Sequence, residues 1–501
     1  MVNIIKYPNS CKIEELDDVE LFQELDKELS FKLNGAEFSA AYKGYVNDFG
    51  EFVTWDGCRH LMSSTGRFPP GLLQRVLEFL DSKLIIPNII DQRPEKTPTN
   101  EIDISKRLKD LDKIPRPYQI EIANTAIAHE RGVIRAATGC GKNLISAMIT
   151  AKIGLYTTIL VIGKDLLYQG HQLYSELFNK PIGIIGDGKC EIHDINIASV
   201  WSVGKALGII ETNNLDEFSE KEKDISREKY KDIKQMLKSS KLVILDECHL
   251  AAAATLQGIF REIKSVEYLY GMSATPSRDD GANLLQEAYL GKKIVDLHAR
   301  KLINQGYLVE PIIRFLAPDP YPYKSGQYQK VYNKYITENA QRNGMVVKAT
   351  LKMIEQGFIP LVLFNSIKHG DILYNLLKDK IPTVLLSGKD SSKIREHAKN
   401  NINSGNIKCV LASKIFECGV DIPCVSGLIN SSGGKSSIRA MQKVGRVIRP
   451  YKGKRIAAVI DFADQAPYLK NHALRRKEIY ETEFKVQWPG SVSKTLEVDP
   501  E

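Results

Sequence analysis

The chain has 501 residues, of which 43% are hydrophobic, and a formal net charge of +8 at pH 7. This length accommodates about three or four domains with sizeable cores, and the composition is that of an ordinary globular protein. No apolar run approaches the length that spans a bilayer, and the moderate positive charge fits a polyanionic partner such as nucleic acid without requiring one.

The eight cysteines are scattered, with no CxxC pair and no histidines at zinc-finger spacing. The first residues lack the apolar core of a signal peptide. We therefore expect reduced thiols and a soluble, cytoplasmic protein.

The first part of the chain, 1–90, predicts a small α+β domain. We expect strands at 31–33, 42–45 and 52–55, and an amphipathic helix at 72–84. Aromatic and basic residues interleave here, which suits base stacking and phosphate contact, and their aromatic rings fit equally well in the core of a small domain. These residues are Tyr42, Lys43, Tyr45, Trp55, Arg59, His60 and Arg67.

The segment 91–113 is polar and proline-rich, which predicts a linker between domains. An amphipathic helix is then expected from Arg116 onward. The amide of Gln119 near its start offers both a donor and an acceptor, so it could read the edge of an adenine.

A phosphate-binding loop is predicted at 136–143, where a short apolar strand leads into a helix of buried composition. Two glycines allow backbone N–H groups to turn toward phosphate oxygens, and Lys142 places a point charge between the outer phosphates. The loop residues predicted to bind the phosphates of a nucleotide are Thr138, Gly139, Cys140, Gly141, Lys142 and Asn143.

Two positions of this loop depart from the usual pattern. Ala136 stands where the first glycine is expected, which is a mild change. Asn143 stands where Ser or Thr normally holds Mg²⁺, and its amide oxygen would reach the ion on a longer side chain. Either the fold uses this amide as a ligand or water bridge, or the residue slows hydrolysis.

Strands and helices alternate after the loop, which predicts a parallel sheet covered by helices. The expected strands are 158–162, 182–185, 195–198, 242–245 and 268–272. Mixed charges between 211 and 240 predict one solvated helix inserted in a loop.

A second alternating series follows and contains no phosphate loop, so we expect it to act on the nucleotide held by the first. Its expected strands are 360–364, 383–386, 408–412, 428–429 and 456–460. A helix of basic character comes next, before a polar end of the chain. Its basic residues are Lys470, His472, Arg475, Arg476 and Lys477.

Asp246 and Glu247 follow an apolar expected strand of the first series. Acidic residues at the carboxyl end of a parallel strand face the crevice where ligands bind. We expect Asp246 to hold Mg²⁺, directly or through water, and Glu247 to orient or deprotonate the attacking water. His249 is predicted to connect this site to Ser273 and Thr275 at the end of the next strand.

Arg446 and Arg449 lie three residues apart, and we expect them on one face of a helix in the second series. Fixed planar cations that face a transferring phosphoryl group stabilise its charge, by about a thousandfold or more in related enzymes. A surface basic helix is the alternative. The catalytic interpretation is favoured because the first series offers no matching pair of cations.

Together these motifs resemble those of superfamily 2 helicases and translocases, in the right order, from 114 to about 465. The segments that resemble the adenine-reading motif, the Walker A loop, the DECH box, the coupling motif and the last two motifs are, in that order, 116–119, 136–143, 246–249, 273–275, 414–423 and 442–450. The resemblance implies an α/β fold with two RecA-like parallel-sheet motor lobes after a small α+β N-terminal domain. It also implies ATP and Mg²⁺ as cofactors.

The resemblance assigns a role to each matching residue. The implied catalytic residues are Lys142, Asp246, Glu247, Arg446 and Arg449. ATP binding is implied, besides the loop, for Arg116, Gln119, Gly419 and Asp421. Coupling is implied for His249, Ser273, Thr275 and Gln442.

Nucleic-acid contacts are implied for loops across both lobes, where small residues and backbone N–H groups would grip phosphates without reading bases. These positions are Gly163, Lys164, Gln169, Ser199, Trp201, Asn365, Ser366, Ser387, Gly388 and Ser413. Gly163 and Lys164 replace the Pro-Thr that is usual there.

Segments 42–57 and 67–72 resemble the small leading domain of bacteriophage UvsW-type recombination helicases, which remodel branched DNA. This implies an ATP-driven, monomeric DNA helicase that unwinds or branch-migrates forks and Holliday junctions in replication and recombination, in the host cytoplasm. Two alternatives stay open. One is an RNA-directed or restriction-type superfamily 2 translocase, and the other is a nucleotide-dependent DNA clamp with weak hydrolysis, which Asn143 motivates.

The expected domain organisation follows from these motifs. A DNA-binding domain occupies 1–90, a linker 91–113, the ATP-binding lobe 114–298, the second lobe 299–482 and a C-terminal tail 483–501.

Overall fold

The structure is a computed structural model that describes residues 2–33, 35–46, 52–209, 225–249, 253–274, 283–320, 326–387, 390, 392–413, 422–434 and 437–490. The chain folds into two compact units. The first unit consists of Met1–Ala136 and Gly141–Asp296, and the second of Ala137–Cys140 and Leu297–Glu501. None of the described helices is both long and apolar enough to cross a membrane.

The N-terminal part of the first unit is a small α+β fold. Its elements are β1 (Asn3–Lys6), β2 (Cys11–Glu14), α1 (Val19–Glu28), β3 (Ser30–Lys32), α2 (Ala40–Lys43), β4 (Tyr45–Val46), β5 (Phe52–Val53), β6 (Cys58–His60), β7 (Arg67–Phe68), α3 (Leu73–Ser82) and β8 (Asn88–Asp91). The main sheet has the order β7-β2-β1-β8, and Ile4 lies opposite Ile13 of β2 and Ile89 of β8. Helix α3 buries Val76 and Leu80 in the core of this domain, which confirms the predicted amphipathic helix.

The strand expected at 42–45 is wrong, because Ala40–Lys43 is helical and the chain becomes extended only at Tyr45. Gly44 has a φ of 94°, a left-handed conformation that ends the helix and that side chains disfavour. Aromatic residues favour strands only where cross-strand neighbours exist, so their propensity did not decide this segment.

The predicted linker contains a helix and is attached along its length to the first unit. Helix α4 (Ser105–Asp110) lies within it. Arg93 and Lys96 both form ion pairs with Glu130, and the backbone N–H and the hydroxyl of Thr97 donate to Glu267 at 2.9 and 2.8 Å. The polar residues and prolines predicted a linker, but the sequence did not reveal that this segment contacts the carboxylates of Glu130 and Glu267.

The rest of the first unit is an α/β layer structure. Its elements are α5 (Pro117–Ala128), β9 (Arg131–Ala136), α6 (Lys142–Ile153), β10 (Thr157–Val161), α7 (Lys164–Phe178), β11 (Gly183–Gly186), β12 (Lys189–Glu191), β13 (Ile195–Ser199), α8 (Val200–Ala206), α9 (Tyr230–Ser239), β14 (Leu242–Asp246), α10 (Ala253–Glu262), β15 (Tyr268–Ser273), α11 (Asn283–Leu290) and β16 (Lys293–Leu297). In the described residues the sheet has the order β12-β11-β13-β10-β14-β15-β9-β16. The strands from β11 to β9 pair in parallel, and β12 pairs antiparallel with β11.

The charge-rich stretch 211–240 differs from the single solvated helix that was expected. Its beginning lies outside the described residues, and its end forms α9. Ile233, Met236 and Leu237 of α9 are at most 2% exposed. The helix therefore packs one apolar face into the core of the unit and exposes its charges on the other.

The second unit carries a seven-stranded sheet in the described part of the chain, with the order β19-β20-β18-β21-β22-β17-β23. Its elements are α12 (Ala299–Asn304), β17 (Glu310–Leu316), α13 (Tyr328–Tyr332), α14 (Ala340–Glu355), β18 (Pro360–Leu363), α15 (Ile367–Leu377), β19 (Thr383–Leu386), α16 (Ser392–Asn403), β20 (Cys409–Ala412), β21 (Gly427–Asn430), α17 (Ser437–Val447), β22 (Ile456–Phe462), α18 (Leu469–Glu481) and β23 (Val486–Gln487). All its paired strands run parallel. The predicted α/β class with two parallel-sheet lobes is confirmed.

Two features of the second unit were not predicted. Strand β23 lies in the segment assigned to a tail and joins the sheet edge beside β17. The basic helix α18 also buries one of its basic residues, since Arg476 is 1% exposed. Residues 491–501, expected to be a polar end, lie outside the described part.

Candidate functional site

The predicted phosphate loop lies between the end of β9 at Ala136 and the start of α6 at Lys142. Gly139 and Gly141 have φ values of 89° and 84°, in the left-handed region that glycine adopts without strain. A Cβ atom on Gly141 would lie 2.5 Å from Nε2 of Gln119. The residue predicted to read adenine therefore lies directly against the loop.

Gln119 is fixed by the helix start that it belongs to. The backbone N–H of Arg116 donates to Oε1 of Gln119 at 2.9 Å, and Nη1 of Arg116 donates to the Tyr118 hydroxyl at 3.1 Å. Pro117 occupies the first helical position, where its missing N–H costs nothing. Two side chains predicted to contact ATP are thus held by one helix cap.

The ammonium group of Lys142 lies 3.0 Å from Oε1 of Glu247. Both side chains are largely buried, at 11% and 17% exposed, so the pair is only weakly screened by solvent. Asp246 ends β14, and the backbone N–H of Glu247 donates to Oδ1 of Asp246 at 2.9 Å. The structure thus brings together the predicted lysine and the two predicted carboxylates.

Glu247 has a φ of 48°, which is uncommon for a residue with a side chain. Such strained conformations are concentrated at functional sites, where the surrounding structure maintains them. Burial, together with the neighbouring Glu247 charge, raises the pKa of Asp246 to about 6, although the Lys142 charge opposes the shift. A cation at this carboxylate would favour its charged form and lower the pKa again.

The residues predicted to hold Mg²⁺ fit that ion. Asn143 and Asp246 line the same small cavity beside Lys142, with a volume of about 20 Å³. A cavity holds one water from roughly 10–15 Å³ upward, so there is room for a bridging water. Carboxylate and amide oxygens are the ligand types that Mg²⁺ prefers.

His249 and Ser273 lie together, as predicted for coupling residues. Nδ1 of His249 is hydrogen-bonded to the Ser273 hydroxyl at 2.7 Å and lies 3.5 Å from Oε2 of Glu247. His249 is 5% exposed and Ser273 is fully buried. This contact links the ends of β14 and β15, whereas Thr275 lies outside the described residues.

In the second unit, α17 carries Gln442 and Arg446 but ends at Val447. The expectation that both arginines share one helix is therefore wrong, since Arg449 follows the helix. Arg449 precedes Pro450, and a residue before proline is disfavoured in the α conformation. The predicted nucleotide contacts Gly419 and Asp421 lie outside the described residues.

Within the same unit, α17 approaches the first residues of the phosphate loop. A Cβ atom on Gly445 would lie 2.2 Å from Cβ of Thr138, and one on Gly139 would lie 3.4 Å from Cγ of Arg449. Glycine at 445 thus permits an approach that a larger residue would block.

The predicted nucleic-acid residues of the first unit differ in their surroundings. Lys164 forms an ion pair with Asp187 at 2.7 Å, and Gln169 is exposed on α7. Ser199 is fully buried, so its side chain does not reach the surface, and Trp201 packs against the apolar core of the unit. Lys164 and Gln169 fit a surface contact better than Ser199 does.

In the second unit, the predicted contacts follow the ends of three neighbouring strands. Ser366 caps α15 by accepting from the backbone N–H of His369 at 3.2 Å, next to Asn365. Ser413 is 8% exposed, and the backbone N–H of Ser387 donates to Asp390. Gly388 lies outside the described residues.

A buried network below α17 was missed by sequence reasoning. Arg476 donates to both carboxylate oxygens of Asp461 at 2.9–3.3 Å and to the carbonyl of Gly434 at 2.7 Å. Lys443 of α17 donates to Oδ1 of Asn430 at 3.0 Å, and Asn430 donates to Asp461 at 2.8 Å. The network joins α18 to the helix that carries Arg446.

A sequence signal for Arg476 did exist. Leu469, Ala473, Arg476 and Tyr480 recur at helical spacing and form the buried stripe of α18. A basic residue on an otherwise apolar stripe predicts a buried partner of opposite charge.

Comparisons with known proteins identify the family of the chain. Residues 112–278 match the family described as "Type III restriction enzyme, res subunit", and residues 345–451 match "Helicase conserved C-terminal domain". The ATP-dependent DNA helicase uvsW of Enterobacteria phage T4 is 24% identical over 481 residues, which span 91% of this chain and 89% of the relative.

Two solved structures share the fold. The helicase MrfA bound to DNA and AMPPNP has a TM-score of 0.55 at 16% identity, covering 79% of this chain and 55% of that chain. S. cerevisiae Dbp5 bound to RNA and ADP BeF3 has a TM-score of 0.51 at 14% identity, covering 77% of this chain and 92% of that chain. The chain is therefore an ATP-driven superfamily 2 helicase with two RecA-like lobes, and it is similar to UvsW.

Proposed function

We propose that this helicase acts on branched DNA, unwinding or branch-migrating forks and Holliday junctions in recombination and replication. The observation that carries its motor function is the largely buried Lys142–Glu247 ion pair beside Asp246. The choice of DNA is supported by the phage T4 relative, a DNA helicase similar over 91% of this chain. The part of the chain from residue 112 to the end is shorter than 91% of the chain. The similarity to the relative must therefore extend into the N-terminal part.

In the proposed mechanism, the phosphates of ATP compete with Glu247 for the ammonium group of Lys142. Binding of ATP then releases Glu247, whose carboxylate accepts a proton from the attacking water. Mg²⁺, when held by Asn143 and Asp246, supplies positive charge to the phosphates. The hydrogen bond between His249 and Ser273 then couples the release of Glu247 to the end of the next strand.

Arg446 and Arg449 are proposed to stabilise the charge that develops on the transferred phosphoryl group. Arg446 is positioned by α17, and Arg449 by the turn that follows it. Gln442, on the same helix as Arg446, is proposed to couple the binding and hydrolysis of ATP to the position of that helix.

The N-terminal domain is proposed to bind DNA as well. Its aromatic and basic side chains lie close together: Nζ of Lys32 lies 5.8 Å from the Tyr42 ring centroid, and Cζ of Arg67 lies 5.0 Å from that of Tyr7. Such pairs offer stacking and phosphate contacts without base reading. We also propose that the protein is a monomer. A location in the host cytoplasm is proposed because the relative is a phage protein.

A second candidate function is a nucleotide-dependent DNA clamp that hydrolyses slowly. Asn143 favours it, because this residue replaces the hydroxyl that usually holds Mg²⁺. Tight ATP binding without turnover on any DNA would support the clamp over the helicase.

The substrate is tested by strand separation with a matched panel of forks, Holliday junctions, linear duplexes and RNA hybrids of equal duplex length. We expect ATP-dependent activity on forks and junctions that exceeds activity on linear duplexes at least several-fold. Glu247→Gln provides the control for ATP dependence. Equal activity on linear duplexes or RNA hybrids would contradict the branched-DNA proposal.

A further inference from the structure

The first unit contains another cavity, at the opposite end of β9 from the phosphate loop. We call it the seam pocket, because it lies where the N-terminal sheet meets β9 and β16, and Lys6, Tyr7, Arg93, Arg131, Lys292 and Lys293 are among its lining residues. Its volume is about 440 Å³. Sites for small molecules usually measure about 300–1,000 Å³, so the pocket can hold a ligand the size of a mononucleotide.

The pocket lining is rich in lysine and arginine, and most of these side chains have carboxylate partners. Lys6 pairs with Asp91 at 3.0 Å, and Arg93 pairs with Asp91 and Glu130. Lys292 pairs with Glu78, and Lys293 with Asp296. These pairs fix the cations around the cavity.

Arg131 is the exception. Its Nη1 donates to the backbone carbonyl of Tyr289 at 2.7 Å, and it forms no ion pair with any residue that the structure describes. Neither Nε nor Nη2 of Arg131 is a fully buried donor without a partner, and Arg131 is one of the residues that line the cavity. Arg131 therefore presents a charged, planar donor set to this space.

No ion pair compensates the charge of Arg131 in the described residues, although the Glu130 carboxylate, which also lines the pocket, acts on it. Burial lowers the pKa of Arg131 to about 10 and outweighs the opposing effects of Cys11 and Glu130, while the nearby Arg93 charge adds a smaller lowering. The side chain is still a cation at neutral pH, since this pKa is well above 7. An oxyanion in the pocket would replace the water molecules that the Arg131 guanidinium loses on burial. A guanidinium group can bind a phosphate through two parallel hydrogen bonds.

Part of the pocket lining is apolar and aromatic. Tyr7, Pro8, Leu73 and Ile294 contribute to it. A surface of this type next to a cluster of cations suits a ligand with one phosphate end and one ring end.

We propose that the seam pocket binds the phosphate group of a nucleotide, at a site separate from the ATP site. Arg131 begins β9 and Ala136 ends it, so the two sites are about 17 Å apart at a rise of about 3.3 Å per residue. The nucleotide is either free or part of a nucleic-acid strand, since both present the same phosphate chemistry. A ligand here would bridge the N-terminal domain and the first lobe, both of which line the pocket.

The test measures how fast the amines of Lys6, Lys292 and Lys293 are acylated in the full-length protein, by mass spectrometry of the digested chain. The probes are inorganic pyrophosphate, AMP and a short oligo(dT), each added separately. Lys142 in the same digest reports the ATP site independently. At least threefold slower acylation of the three pocket lysines with one or more probes is the expected result.

Arg131→Gln should abolish this protection while leaving the protection of Lys142 by pyrophosphate unchanged, and Arg131→Lys should restore part of it. Arg261→Gln, a change of an exposed arginine on α10, is the matched control and should behave like the wild type. Protection by pyrophosphate and AMP identifies a free nucleotide, and protection by oligo(dT) alone identifies a strand; both support the site. No protection of the wild type by any probe, or equal protection in Arg131→Gln, would overturn it, whatever the helicase assays show.

Discussion

The ion pair between Lys142 and Glu247 is the central contact at the scale of single residues. It holds the predicted phosphate-binding cation 3.0 Å from the predicted general base, in a region where both side chains are mostly shielded from water. While the ion pair is formed, the ammonium group of Lys142 and the carboxylate of Glu247 interact with each other. A phosphate that binds Lys142 would leave the Glu247 carboxylate able to accept a proton. The motifs predicted that both residues serve one site, but not that their side chains form an ion pair, because the two residues lie 105 positions apart in the sequence and the order of the strands brings them together.

Lys142→Ala should lower the ATP hydrolysis rate by at least about a hundredfold, since removal of one preorganised donor to a developing charge costs this much in other enzymes. Steady-state phosphate release in the presence of DNA measures it. Lys152→Ala, at the other end of α6, is the matched control and should remain within about twofold of the wild type, as expected for a residue away from the site. A nearly normal rate for Lys142→Ala would refute the assignment of the site.

Asn143→Thr should raise the turnover number several-fold, because a hydroxyl on a shorter side chain fits the octahedral geometry of Mg²⁺ better than an amide does. The measurement is kcat as a function of Mg²⁺ concentration. Asn143→Ala should lower kcat, since it removes the ligand. A turnover number for Asn143→Thr at or below that of the wild type would show that the amide is already the better ligand in this fold.

At the scale of elements, α17 and α18 act as one piece of the second unit. The buried ion pair between Arg476 and Asp461 connects α18 to the end of β22, and Arg476 also donates to the carbonyl of Gly434. Lys443 of α17 donates to Asn430 and Ser432 in the same network. Regular strands could be predicted because apolar runs bounded by turns have few alternatives. The end of α17 before Arg449 and the burial of Arg476 depend on local proline geometry and on packing, which periodicity alone does not resolve.

Arg476→Met should destabilise the protein by about 3–5 kcal/mol, since it leaves a buried carboxylate without its cation. Chemical denaturation followed by fluorescence measures the change, and kcat should fall with it because α17 loses its support. Arg475→Met removes an exposed arginine from the same helix and should change stability by less than about 0.5 kcal/mol. Equal stability of the two variants would contradict the role given to the network.

Gly71→Ala should weaken the attachment of the N-terminal domain to α11, because the new Cβ atom would lie 2.1 Å from the carbonyl oxygen of Glu287 and 2.6 Å from that of Ala288. We expect a loss of about 1–3 kcal/mol, as for other overpacked contacts. Hydrogen exchange in α3 and α11 should become faster. Gly344→Ala, on α14 where a Cβ atom meets nothing within 4 Å, is the control. Unchanged exchange in Gly71→Ala would show that this contact is not maintained in solution.

At the scale of the whole molecule, the chain combines a nucleotide-binding unit, to which the N-terminal domain is firmly attached, with a second parallel-sheet unit. The attachment is specific: Arg75 donates to both carboxylate oxygens of Glu287 at 3.1 and 2.8 Å, and Ala288 belongs to the core of the N-terminal domain. The two-lobe architecture could be predicted from the alternation of strands and helices. The attachment could not, since Arg75 and Glu287 are separated by 212 positions and neither belongs to a motif.

Specificity for branched DNA is tested most directly by the rate of ATP hydrolysis with forked DNA, with a linear duplex of the same sequence and with single-stranded RNA of the same length. A DNA helicase specific for branches predicts strong stimulation by the fork, weaker stimulation by the linear duplex and little by RNA. Equal stimulation by RNA, or tight ATP binding without turnover on the fork, would contradict the account.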